Sequence, residues 1–316
     1  MFDTILAGFF RVARCEAASM DEGRDELAEQ GGQEREAIKA VGQFGDIFNR
    51  VNGQLNPDVH DGFRWEVQKL VTPSCLAIHN VHLGSQLIPG GRYYMYGVQM
   101  SASDRYVVAN MTTQGRGSVQ GMIPVGPVMC KGLFDYHGGP DFVQGTFEYT
   151  GGTYAAQSVI TTGGKLGMSY HQAVTNSLSL GSEVTVDPAE ADGTLTGGFK
   201  YDNSDFTCTG KLTNIGWVHD RKGLIWQGQY LRKVVPNRVN LAANYIRKSG
   251  EGAEVKLGAE FNLKQCKYTA VVDQEGTMHC KVDSRVNPNM TLHLGGRLNH
   301  KEGTSTFGFG FSTSNM

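Results

Sequence analysis

From about residue 74 onward, apolar and polar side chains alternate with a period of two, and this constrains the fold more than any other feature. Tyr94, Tyr96, Val98 and Met100 alternate with Tyr93, Met95, Gly97 and Gln99. Val143, Gly145, Phe147 and Tyr149 oppose Gln144, Thr146 and Glu148. Val255, Leu257, Ala259 and Phe261 oppose Lys256, Gly258, Glu260 and Asn262. The same holds for Met278, Cys280 and Val282 against His279, Lys281 and Asp283, and for Met290, Leu292 and Leu294 against Thr291, His293 and Gly295. Such a period sends successive side chains to opposite faces of a strand. Turn clusters "GGPD", "RKSGEGAE", "DQEGT" and "NHKEGTS" separate the runs, and no convincing amphipathic helix interrupts them. These residues predict antiparallel sheet almost throughout.

A sheet with one oily and one polar face has two homes. In a soluble sandwich the oily face is filled from within; in a membrane barrel it meets lipid and the lumen is wet. Three features favour the barrel. The pattern continues for about 240 residues, more than an ordinary sandwich uses. The polar face carries Lys, Glu, Asp and His, yet the turns are short. Glycine recurs inside strands, where a soluble core would be weakened by it; there are 42 glycines against 9 prolines. At roughly 12 to 13 residues per strand and turn, this length holds about 18 to 20 strands. Phe307, Phe309 and Phe311, on one face of the last strand, would then point into hydrocarbon. A soluble lectin-like or scaffolding β protein is the reading from another class.

The region before residue 74 differs. Residues 1–37 are charged and read as a polar, largely disordered tail. Residues 38–71 carry helical spacing: Val41, Phe44, Ile47, Phe48 and Val51 fall three to four apart, and "NGQLNP" breaks the pattern. A second helix is expected over 57–71, with Asn56 as N-cap, Pro57 at its first position, and Val59, Phe63, Val67 and Leu70 as its apolar stripe. The barrel is expected over 72–316, where "TPSCLAIHNVHLGS" leaves room for about one strand.

Several function classes are not supported. Basic residues number 29 and acidic ones 31, so no nucleic-acid partner is indicated. No stretch approaches the roughly 20 apolar residues of a membrane-spanning helix, and the opening residues lack the basic start of a secretory signal. The six cysteines show no paired spacing, against a zinc site or a disulfide scaffold. His79 and His82 have opposite strand parity and do not converge on a metal. "GRGSVQG" is followed by no helix and is no dinucleotide fingerprint. Neither an enzyme nor a cofactor is expected.

Against that frame stands a resemblance. Residues 253–312, with "VDQEG", "RVNP" and "LGGRLNHK" in order, resemble the C-terminal end of the channel-forming subunit of the mitochondrial outer-membrane protein translocase, the TOM complex. "GSQLIPGGRYYMYGVQM", "YHQAVTNSLSLGSEV" and "QYLRKVVPNRVNLAANYI" resemble successive upstream segments of that family. "NPDVHDGFRWEVQKLV" resembles the helix that it threads inside the barrel. The resemblance covers roughly residues 56–312. It implies an all-β transmembrane antiparallel barrel of about 18 to 19 strands with an N-terminal amphipathic helix in the lumen, located in the mitochondrial outer membrane. It further implies conduction of unfolded mitochondrial precursor proteins, and assembly with itself and with receptor and small single-span subunits. The pore helix would include Asn56, Pro57, Phe63, Arg64 and Val67. Thr306, Gly308 and Phe311 match the family's β-signal for assembly, although Thr313 stands where a second apolar residue belongs. The related voltage-dependent anion channel, a metabolite porin of the same fold, is the alternative.

Strand parity places Glu148, Glu183, Glu254, Glu260 and Asp283 in the lumen, because a carboxylate facing hydrocarbon is costly. Targeting segments are amphipathic and arginine-rich, so these acids form a candidate substrate path. Ordinary lumen polarity, paired with Lys200, Lys256 and Lys281, is the competing expectation. Trp217, Trp226, Tyr93 and Tyr230 are candidates for interfacial girdles.

Overall fold

The structure, a computed structural model, describes residues 41–315 apart from 87, 89, 140, 216–222 and 251. The expected tail at 1–37 and Trp217 lie outside the described residues. Among the described residues one helix, α1 (Asp46–Leu55), precedes the strands. The first strands are β1 (Gly62–Thr72), β2 (Cys75–Leu83), β3 (Arg92–Ala102), β4 (Arg105–Thr112) and β5 (Gly117–Val125). Next come β6 (Val128–Tyr136), β7 (Phe142–Thr150), β8 (Tyr154–Thr161), β9 (Leu166–Ala173) and β10 (Leu178–Asp187). They are followed by β11 (Asp192–Asp202), β12 (Phe206–Ile215), β13 (Gly223–Val235), β14 (Val239–Lys248) and β15 (Ala253–Asn262). The last are β16 (Cys266–Asp273), β17 (Thr277–Asn287), β18 (Met290–Asn299) and β19 (Thr304–Asn315).

All 19 strands form one sheet in which each pairs with the next, and β1 pairs with β19, so the sheet closes into a barrel. An odd strand number in an up-and-down meander forces the first and last strands to run the same way. That seam is parallel, with Phe63 opposite Phe309 and Trp65 opposite Phe311, while the consecutive pairs are antiparallel. Among the described residues no helix is long and apolar enough to cross a membrane; the barrel is built of strands. Their 8 to 13 residues bracket the tilted span that a bilayer requires. This is an all-β, porin-type barrel.

The faces sort as alternation requires. Leu257, Phe261, Leu294, Phe307 and Phe309 are exposed on the outer surface, Phe307 at 73%. Thr196, Thr207, Thr209, Gln229 and Asn244, on the inner rows, are buried. Oily residues outside and polar ones inside invert the arrangement of a soluble core. Tyr94, Tyr96, Trp226 and Tyr230 project outward. Tyr93, expected in a girdle, is instead opposite His82 on the inward row.

One expectation is overturned. Residues 57–71 do not form a helix; Gly62–Thr72 is the first barrel strand. The barrel therefore begins ten residues earlier than the expected boundary at 72, which supplies the nineteenth strand. Phe63 and Val67 are four apart, a spacing that satisfies a helix face and a strand face alike. Trp65 between them, on the same outward row, resolves the ambiguity, and the aromatic and β-branched content of Phe63, Trp65, Val67, Val71 and Thr72 favours a strand. Asn56 is the C-cap of α1 rather than an N-cap: its N–H donates to Asn52 O at 2.9 Å. Pro57 then stops the helix instead of starting one.

Candidate pore and its lumen wall

The helix inside the barrel is α1, built on the upstream stripe. Ile47, Phe48, Val51 and Leu55 form its buried face. Val51 and Leu55 pack on Leu231, Ala242 and Val271, an apolar island on the inner rows of β13, β14 and β16. Polar contacts fix the register: Gln229 Nε2 donates to Asn52 Oδ1 at 2.6 Å, and Gln54 Nε2 to Asn240 O at 3.0 Å. Lys211 Nζ lies 5.5 Å from the centroid of the Phe48 ring, a geometry with cation–π attraction. Before the helix, Phe44 fills a notch on β10 and β11. A side chain at Gly181 would collide with its ring, and one at Gly198 would come within 3.2 Å of it. The ring nitrogen His171 Nδ1 is 2.7 Å from Gly42 O. The barrel wall is thus shaped to hold this segment.

The chain then crosses from α1 to β1 through residues 56–61. Arg64 Nη1 donates to Asp58 Oδ2 at 2.7 Å and its Nη2 reaches Glu66 Oε2 at 3.2 Å. Asp61 accepts from Ser85 Oγ and the Gln86 N–H, each at 2.5 Å. Burial alone would raise the Asp58 carboxyl, but the hydrogen bond and charge of Arg64 outweigh it and hold the group below the usual carboxylate range. Burial pushes the His60 imidazole down, only partly offset by the Phe309 backbone.

All five predicted lumen carboxylates lie on inward rows, and four of them are held by cations. Glu148 pairs with Lys131 at 2.7 Å, Glu254 with Lys256 at 3.1 Å, Glu260 with Lys267 at 2.9 Å and Asp283 with Lys281 at 3.3 Å. Glu183 makes no salt bridge among the described residues; it lies between Ser169 and Thr196 on the neighbouring strands. Lys200 is 3.9 Å from Asp202 rather than from a predicted acid. The five residues do not converge on a single patch. They are spread over β7, β10, β15 and β17.

Arg64, expected on the pore helix, does face the lumen, but from β1; Phe63 and Val67 face outward. Thr306 and Gly308 lie on the inward row of β19 and Phe311 on its outward row, tilted at 60° to Phe63 with 6.5 Å between ring centroids. A relay not anticipated from sequence spans the last three strands. His293 Nδ1 is 2.6 Å from Asp283 Oδ1 and its Nε2 3.1 Å from Ser312 Oγ. Asp283 and His293 are direct cross-strand partners, so strand register, had it been known, would have revealed it. Among the described residues no group of His, Cys, Asp or Glu is arranged to hold a metal. His79 stacks outward on Tyr94 while His82 meets the inward Tyr93, as their opposite parity requires.

The family model described as eukaryotic porin matches residues 41–310. No curated protein matches the chain in sequence. Among solved structures, an engineered triple mutant of the Rhodopseudomonas blastica porin is similar, with a TM-score of 0.50 and 9% identity over 74% of this chain and 95% of that one. Another engineered variant of that porin gives a TM-score of 0.49 at 9% identity, over 74% and 95%. At such identity the likeness is one of fold.

Proposed function

We propose, from the premise that this chain belongs to the eukaryotic porin family, that it is the protein-conducting channel of the mitochondrial outer membrane. It passes unfolded precursor proteins led by basic amphipathic targeting segments, and it works as an oligomer with receptor and small single-span subunits. The family and the fold are those of pore-forming barrels rather than enzymes. The observation that supports a polypeptide path is the pairwise neutralisation of the lumen: four of the five predicted acids carry a lysine partner. A wall of paired charges wets the chain that slides past without holding it, since attraction must be weak enough for release. Thr306, Gly308 and Phe311 act as the assembly signal in this reading.

The same neutralisation also favours a second reading, a voltage-dependent anion channel, because it removes most of the acidic attraction. Planar-bilayer recording of the refolded barrel separates the two. A translocase is expected to show cation preference and flickering block by a presequence peptide. Anion preference with no peptide block would reject it in favour of the metabolite porin.

A further inference from the structure

We infer that residues 56–61 form a strap that holds the parallel β1–β19 seam shut from the lumen side and ties that closure to the position of α1. The seam is the pair that completes the barrel, and parallel pairing is slightly weaker per residue than the antiparallel pairing elsewhere. Six residues cross it. A Cβ at Gly295 on β18 would lie 3.2 Å from Val59 Cγ1. The carbonyl of His60 sits where a side chain at Gly308 on β19 would be, and a Cβ at Gly310 would come within 3.1 Å of His60 Nε2. Asp58 meets Arg64 of β1, and Asp61 binds Ser85 and Gln86 just beyond β2. One short segment therefore touches both sides of the seam.

The other end of the strap is joined stiffly to the helix, since Asn56 donates to Asn52 O through both its backbone N–H and its side-chain Nδ2. The atoms that would collide at 308 are His60 backbone, which cannot rotate away as a side chain could. The inward glycines 295 and 308 are thus explained by the strap, Gly310 by the Arg64 carbonyl of β1 as well as by His60, whereas nothing lies near a side chain added at the outward Gly132. His60 Nε2 is buried without a hydrogen-bond partner among the described residues, a penalty of the seated state that the other strap contacts must outweigh. Gly308 accordingly has a role in the finished barrel besides the one its place in an assembly signal implies.

Hydrogen exchange read by mass spectrometry on the full-length barrel, refolded in lipid vesicles, tests this. Gly308→Ala and Asp61→Ala are compared with Gly132→Ala as control. Exchange should quicken about tenfold in β1, β19 and α1 together, the size of one lost charge-assisted hydrogen bond, with β5 to β8 unchanged. Asp61 bonds to Ser85 and Gln86, so in Asp61→Ala faster exchange in α1 and at the far end of β19, away from the Gly62–Gly308 pair, reports loosening of the strap. This variant decides the matter if Gly308→Ala does not refold. Faster exchange in α1 alone, a uniform rise that includes β5 to β8, or no change would each overturn the strap.

Discussion

Phe63 and Phe309 lie side by side across the parallel seam, their ring centroids 5.2 Å apart at 56°. Both rings face outward, so lipid contact is available to each alone and their mutual contact is the part specific to the seam. Tilted aromatic pairs contribute about 1 kcal/mol beyond area burial. A double-mutant cycle with Phe63→Ala and Phe309→Ala, measured by reversible unfolding from lipid, should give a coupling of about that size. Strictly additive losses would mean that the rings do not help to close the barrel.

The inside-out arrangement makes a separate prediction. Cysteine introduced at Leu257, Leu292 or Phe309 should react with a lipid-soluble probe, and cysteine at Lys256, His293 or Thr306 with a water-soluble one. Phe309 and Leu257 are half exposed on the outer surface, whereas His293 is engaged with Asp283 inside. Reversed labelling at neighbouring positions would place the oily face inward.

Val51 is fully buried against Leu231, Ala242 and Val271. Val51→Asp would put a charge into that island without a partner, and the helix should leave the wall. Arg50, exposed beside it, would then become a cleavage site, and trypsin should cut there faster by about tenfold or more. Single-channel conductance should rise and become noisier. Unchanged proteolysis and conductance would show that the helix is held chiefly by Gln54, Asn52 and Phe44.

What sequence alone conveyed depended on which physical signal each element carried. Alternation assigns Glu148, Glu183, Glu254, Glu260 and Asp283 to the rows that the strand register turns inward, because strand parity is a local property. Their partners were less legible. Lys131 reaches Glu148 diagonally, since the direct opposite of Glu148 on β6 is Met129; such a contact exists only once register is set. The Asn56–Pro57 step is ambiguous in polarity, because Asn before Pro suits both the start of a helix and the residues following its end. Phe63 and Val67 deepen the ambiguity by fitting both periods. The stripe from Phe44 to Val51 was visible, and its sequel at Gln54 and Leu55 completed the helix that the lumen holds.

Acid should loosen the strap. The His60 pKa in the seated state lies below the ordinary value of 6.5, so the unseated state binds the proton more readily. The contribution of a neutral His60 is fully present above pH 6.5 and is lost as pH falls from there toward the lowered value. Arg64, Asp58 and His293 face it; Arg64 and His293 oppose its protonation and Asp58 favours it. Asp58, held below the usual carboxylate range, stays ionised through this window. Exchange protection of β1 and α1 should fall as the pH drops below 6.5, and His60→Gln should flatten that dependence. A pH response that survives His60→Gln would assign it to another group.

Glu183 separates a substrate path from ordinary lumen polarity. Removing the charge of Glu148 frees Lys131, its partner at 2.7 Å, so Glu148→Gln alters two charges' surroundings at once and leaves a cation exposed. Glu183 makes no salt bridge among the described residues, and its charge therefore acts on the lumen without a cation to offset it at contact distance. Glu183→Gln should reduce cation preference and weaken presequence-peptide block several-fold, a loss of about 1 kcal/mol for one partly screened charge. Raising salt should erase the difference between Glu183→Gln and the parent, because the interaction crosses water. Block that is indifferent to Glu183 yet weakened by Glu148→Gln and Glu260→Gln would move the path to the lysine-paired acids, and block indifferent to all three would remove carboxylates from the path altogether.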